Sequence, residues 1–283
     1  MKYQINDKSL YELIGLFSLS NSKNVIPRKL NIPPCVSVKK HFLICDQCDN
    51  IKLSDNCDTC QVKTVSNHFL LLNIKEQFES FFSKEENIEK IIACKSDLSK
   101  LGYHEDSIIQ AIHQVDPNVC TLTINTDGMQ VFRKSLVDAW PIFLTVNELP
   151  TKNKYSSENI FLPGIWMGQR KLSNYVVLNQ MCQAIAQLEN GVRYSNHTLI
   201  KVFCIYGSFD KPARSTMLNR QSSNAEYGCC FCKLKSKRNG HRVYYDVLSN
   251  YEYLSHPLIT SRMIKSTETN APFKGSKGFS PLR

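Results

Sequence analysis

The spacing of apolar and polar positions changes near residue 118. Upstream, "NIKEQFESFFSKEENIEKIIACKSDLSKLG" carries Phe78, Phe81, Phe82, Ile88, Ile91 and Ile92 at helical spacing. That spacing predicts a helix pair, or one broken helix, packed on a core. Downstream the pattern is that of strands: "CTLTIN" alternates, "WPIFLTV" and "NIFLPGIWMG" are apolar runs, and "LIKVFCIYGSF" is a longer one. Between the last two, "LSNYVVLNQMCQAIAQLENG" sets Val177, Met181, Ile185 and Leu188 on one helix face and closes on Asn-Gly. Strands followed by a helix and a further buried strand predict an α/β domain with a mixed sheet. The expected division is an arm or linker over 1–40, a cysteine module over 41–68, a helical segment over 69–117 and the α/β domain over 118–283.

At 283 residues and 42% hydrophobic, the chain can bury a core, and its length suggests about two domains. No run of about 18 apolar residues occurs, so a transmembrane helix and a membrane partner are not expected. The N-terminus lacks the basic head, apolar core and small-residue cleavage site of a secretory signal, which predicts an intracellular protein. The net charge of +10 favours polyanions, nucleic acid first, although a solvated basic surface accounts for it equally well. Lys233, Lys235, Lys237, Arg238 and Arg242 in "KLKSKRNGHR" form the one local basic cluster, a loop of candidate phosphate contacts.

Twelve cysteines in an intracellular chain point away from disulfides. In "CDQCDNIKLSDNCDTC", Cys45, Cys48, Cys57 and Cys60 form two CxxC turns separated by eight residues. Two such turns can close a tetrahedral Zn²⁺ shell with no open position, which would fold a ribbon too small to fold alone. Four free thiols in a loop-rich segment are the alternative. The neighbouring Asp46, Asp49, Asp55 and Asp58 make this module acidic and argue against a direct phosphate role.

Two aspartates end predicted strands. In "TLTINTDGMQVF", Asp127 shares a strand face with Thr121, Thr123 and Asn125. An Asp-Gly between alternating runs is also a favoured hairpin turn, and on this stretch alone the turn is the stronger reading. Asp210 follows the apolar run "KVFCIYGSF", where it could cap a helix with Pro212 in its first turn. Both also sit where α/β domains place chemistry, at strand carboxyl ends. Carboxylates converging there suit Mg²⁺, and two such ions about 4 Å apart can activate a nucleophile and stabilise the leaving oxygen of a phosphodiester.

Taken together, "TINTDG", "WPIFLTVNELP", "IFLPGIWMG", "FDKPARSTMLN", "EYGCCFC" and "FKGSKGFSPL" resemble, in order over roughly residues 118–283, the transposases of the CACTA (En/Spm-like) group of animals. The ribbon fits the zinc-binding segment such proteins often carry. The resemblance implies an RNase H-like fold and a DDE/D triad using Mg²⁺ or Mn²⁺. It also implies a nuclear location and DNA partners, transposon ends and target, with a homodimer as one open assembly. By position, Asp127 would be the first catalytic carboxylate and Asp210 the second.

Cys229 and Cys232, 19 and 22 residues beyond Asp210, are similar to a cysteine pair of the more distantly related V(D)J recombinase, which shares zinc with two later histidines. They would form half of a zinc shell, with Cys230 and His241 as local candidates to complete it. The family's third carboxylate lies downstream of "FKGSKGFSPL", so an incomplete, C-terminally truncated RNase H-like domain is expected. Glu148 and Glu158 are weak substitutes, and Asp138 reads as a loop residue.

Trp140 and Trp166 read as core residues rather than base-stacking platforms, and His197 as a turn residue rather than a general base. Cys94, Cys120, Cys182 and Cys204 read as buried thiols. Three accounts remain: a transposase fragment inactive alone, a non-enzymatic zinc- and DNA-binding protein derived from one, and a decayed reading frame with no stable product.

Overall fold

The computed structural model describes residues 37–52, 56–61, 66–96, 108–130, 138–168, 172, 174–194, 198–231, 234–240, 242–245, 256–269, 271–274, 276–277, 280 and 282. The expected arm, apart from its last residues, lies outside them, as do Cys232, Lys233, His197 and His241. Packing divides the chain into two compact units, Met1–Gln169 with Gln183–Ser208, and Arg170–Cys182 with Phe209–Arg283.

The first unit is a mixed α/β structure. Its strands are β1 (Val38–Cys45), β2 (Ile51–Lys52), β3 (Ser66–Leu72), β4 (Val119–Thr126), β5 (Met129–Gln130), β6 (Asp138–Val146), β7 (Ile160–Gly168), β8 (Val192–Arg193) and β9 (Leu199–Ser208). They form one sheet in the order β2-β1-β3-β7-β6-β4-β9-β8, with β5 also on β6. Every pairing is antiparallel except that of β4 with β9. The helices are α1 (Ile74–Phe82), α2 (Glu85–Lys95), α3 (Ile108–Val115) and the single turn α4 (Thr151–Lys154), while α5 (Asn174–Ala186) crosses from the second unit into the first.

The apolar runs become the central strands because both faces of β6 and β7 are covered, which removes any need for alternation. The helix pair forms as the periodicity predicts. Phe78 of α1 stacks on Phe161 of β7 with ring centroids 4.0 Å apart, and Phe81 meets the same ring edge-on. Ile92 departs from the predicted face and is exposed. At a register shift between β6 and β7, the side chain of Gln77 donates to Leu162 O at 3.0 Å and accepts from Leu162 N at 2.9 Å. An amide side chain thus satisfies backbone groups that the interrupted ladder leaves over. Val177, Met181, Ile185 and Leu188 are all buried, as the helix face predicts.

Two expectations change. The cysteine module is continuous with the main sheet, because β1 pairs with β3 and β3 with β7, opposing Phe69 to Trp166. A boundary at residue 68 would cut a strand whose Phe69, Leu70, Leu71 and Leu72 are core. The Asp-Gly is also not a hairpin corner. Thr126 pairs with Ile142 and Met129 with Ala139. The register is therefore unbroken across Asp127 and Gly128, which fall opposite Pro141 and Trp140. Pro141 has no N–H for the ladder, so the strand is interrupted without reversing. Asp138, expected in a loop, opens β6.

The second unit holds α6 (Lys211–Met217), α7 (His256–Glu268) and a two-stranded hairpin of β10 (Lys237–Asn239) and β11 (Arg242–Tyr244). Ser280 Oγ donates to Met217 O at 2.8 Å and Arg262 Nη1 to Lys274 O at 3.0 Å, which ties the last described residues to its helices.

Candidate metal centre

The two CxxC turns of the first unit fold alike. Asp49 N donates to Cys45 O at 3.1 Å, and Gln61 N donates to Cys57 O at 2.7 Å. The residue following each turn, Asp49 at φ 60° and Gln61 at φ 54°, is left-handed. Asp tolerates that region and Gln does so rarely, so the tight turn itself holds the backbone there. The four sulfurs are brought together, all within 4.8 Å of one another. Cys45 Sγ lies 3.7 Å from Cys60 Sγ, and Cys48 Sγ lies 3.4 Å from Cys57 Sγ. These separations are too long for disulfides, which need about 2.05 Å. They approach the roughly 3.8 Å expected between thiolates of one tetrahedral zinc with bonds of about 2.3 Å. The cluster can hold a metal ion such as zinc. The backbone N–H of Cys60, and after burial that of Thr59, also bear on the Cys57 thiol, and the hydrogen bonds outweigh burial to hold it below its ordinary value. The Cys48 thiol moves the other way: the Asn50 backbone bond lowers it, but burial and the Cys57 and Cys45 thiols outweigh that and hold it above its ordinary value.

On the same strands His41 Nε2 and His68 Nδ1 are 3.0 Å apart, and the rings stack at 5.3 Å. Burial holds both imidazoles below the ordinary histidine range, and the neighbouring His41 adds to the effect on His68.

The two aspartates follow neighbouring strands. β4 and β9 run parallel, with Asn125 paired to Ser208, and Asn125 Nδ2 donates to Ser208 O at 2.6 Å. Asp127, in the first unit, is exposed two residues after Asn125. Asp210, in the second unit, is exposed two residues after Ser208 and caps α6, its Oδ1 accepting from Ala213 N at 2.7 Å, with Pro212 in the first turn. The capping role read from sequence is therefore present.

Glu148 is committed elsewhere. It is fully buried, and its carboxylate accepts from Thr121 N at 3.0 Å, Thr121 Oγ1 at 2.6 Å and His113 Nε2 at 2.9 Å. Asn147 extends the cluster, donating to Thr121 Oγ1 at 3.1 Å and accepting from Thr123 Oγ1 at 2.6 Å and Lys154 Nζ at 2.9 Å. Burial lowers the Lys154 amine, partly offset by the Glu148 charge. Burial and the same charge push the Cys120 thiol up. Spacing gave no signal for this cluster, because its members come from α3, β4, the turn after β6 and α4. Glu158 is exposed in a short 3₁₀ segment.

In the second unit Phe231 N lies 3.4 Å from Cys229 Sγ. Lys235, Lys237, Arg238 and Arg242 are exposed on or beside the β10–β11 hairpin, which replaces the expected loop. Asn239 pairs with Arg242, so the turn starts at Gly240, which is left-handed at φ 56°, a conformation that favours glycine. Lys235 pairs with Glu226, and Arg238 Nη2 donates to Asn224 O at 2.9 Å. Cys94 and Cys120 are buried, while Cys182 and Cys204 are half-buried. Trp140 and Trp166 are core residues, opposed across β6 and β7. Among the described residues no helix is long and apolar enough to cross a membrane.

No protein-family model matches the chain, and no curated protein matches its sequence.

Proposed function

We propose that this chain is a DNA-processing protein of the DDE/D transposase class, in which Asp127 and Asp210 supply carboxylates to catalytic Mg²⁺ or Mn²⁺. The observation that carries the reading is the parallel pairing of β4 with β9 through Asn125 and Ser208. Each aspartate follows its strand by the same two residues, at the carboxyl end where α/β sheets gather chemistry. The antiparallel β4, β6 and β7, followed by α5 and a return to β9, form the core of an RNase H-like domain on this reading. When bound, the ions supply charge neutralisation and an activated water or hydroxyl for phosphodiester cleavage and strand transfer. The chain's own part is to hold the two carboxylates and to bind DNA through the exposed cations of the β10–β11 hairpin. Cys45, Cys48, Cys57 and Cys60 hold a structural zinc that fixes the sheet edge at β1 and β2. Glu148 is not the third carboxylate, since its oxygens serve Thr121 and His113.

A second reading, a zinc- and DNA-binding protein without catalysis, is favoured by one observation. The cap that Asp210 provides to α6 accounts for that residue without a metal. Iron-directed cleavage separates the two. With Fe²⁺ in place of Mg²⁺, ascorbate and peroxide should cut the backbone near the ends of β4 and β9, and the cuts should vanish in Asp127→Asn and Asp210→Asn. Cuts that persist in both variants, or that never appear, leave the non-catalytic reading.

A further inference from the structure

We infer that the second unit carries a binding site for one unpaired nucleotide of a DNA strand, in the cleft between α6 and the β10–β11 hairpin. The inference rests on the reading of the chain as a DNA-binding protein and says which form of DNA it prefers. The cleft has a volume of about 320 Å³, at the small end of ligand-sized sites, which run from about 300 to 1,000 Å³. Lys211 and Arg214 line it from α6, Phe231 and Cys229 from the cysteine loop, and Tyr245 from the strand end. Among the described residues no carboxylate lines it, and neither Lys211 nor Arg214 is paired with one.

Phe231 is the unusual member. It is 60% exposed, yet held in place: the Arg214 guanidinium lies 5.0 Å from its ring centroid, and Arg214 Nη2 donates to Phe209 O at 3.0 Å. An exposed Phe alone needs no explanation. An anchored aromatic ring beside two cations, with no carboxylate among the described lining residues, matches the two parts of a nucleotide. The ring offers a π-face to a base and the cations receive its phosphate. A paired base is stacked on both sides within the duplex and cannot use the ring, so the ligand is a nucleotide outside the helix. The cleft is also tightly made. A Cβ on Gly228 would approach Ser222 O to 2.5 Å and Ser223 O to 2.6 Å, so the loop that carries Phe231 closes only with glycine there.

The test measures binding of the full 283-residue chain, zinc-loaded, to a blunt duplex and to the same duplex bearing a short single-stranded tail, by fluorescence anisotropy. The tailed duplex should bind about tenfold more tightly, the size of one base stack. Phe231→Ala should abolish that preference and leave blunt-duplex affinity unchanged, while Phe231→Trp should keep it. Lys211→Ala should weaken tailed binding and flatten its salt dependence. A preference that survives Phe231→Ala overturns the site. So does a wild type that binds both DNAs tightly and equally, which leaves the DNA-binding reading standing. A wild type that binds neither DNA at low salt overturns both.

Discussion

A Cβ on Gly128 would come within 2.5 Å of Cε2 and Cζ2 of Trp140. Glycine is thus required by a close approach to the indole, inside a strand whose register runs on unbroken. That contact decides what Asp127 is. It is an exposed carboxylate carried on an interrupted strand edge, on the same side as Thr123 and Asn125. Gly128→Ala should lower stability by about 1–3 kcal/mol through overpacking. Thermal unfolding followed by tryptophan fluorescence reads the effect, and an unchanged midpoint would contradict the packing.

The four-cysteine cluster predicts about one zinc per chain by elemental analysis. Cys48→Ser and Cys57→Ser should each lower the zinc content. Because zinc binding is coupled to folding, chelation should unfold the edge formed by β1 and β2 before the rest of the sheet. Hydrogen exchange reports this as early loss of protection over Val38–Lys52. Full zinc content in both variants would refute the assignment.

Glu148 tests whether the sheet hides a third metal ligand. With Thr121 and His113 dependent on it, Glu148→Leu should destabilise by roughly 1–3 kcal/mol, since a buried N–H and hydroxyl lose their acceptor. Denaturant titration measures this. A variant of wild-type stability that loses Mg²⁺ binding would instead make Glu148 a ligand.

His41 and His68 give a pH dependence. Their folded pKa values lie below the ordinary 6.5, so the unfolded chain takes up protons first. The stability they contribute is present above that value and is lost as pH falls through the depressed folded pKa values. Denaturation midpoints should drop between neutral and mildly acidic pH, and His41→Gln should flatten the drop. Equal slopes in wild type and variant would exclude the pair.

Strand positions β4, β6, β7 and β9, the face of α5 and the cap of α6 were all legible, because each rests on local spacing or one local hydrogen bond. The cysteine cluster was legible for the same reason: two short turns fix their sulfurs. What was illegible depends on partners distant in sequence. The continuation of β4 past Asp127 depends on Pro141 and Trp140 across the ladder. The placement of β3 in the main sheet depends on β7. The Glu148 cluster joins α3, β4, the turn after β6 and α4, and Gln77 serves a register shift 85 residues away.

The most direct test of the account is a calorimetric titration of Mn²⁺ into the zinc-loaded chain, compared with Asp127→Asn, Asp210→Asn and the double variant. If the two carboxylates share a site, each single change should weaken binding by about tenfold or more, and the double variant should lose little beyond the worse single, because residues acting on one ion are strongly coupled. Binding unchanged in both singles, or losses that simply add as for independent sites, would contradict the shared metal centre.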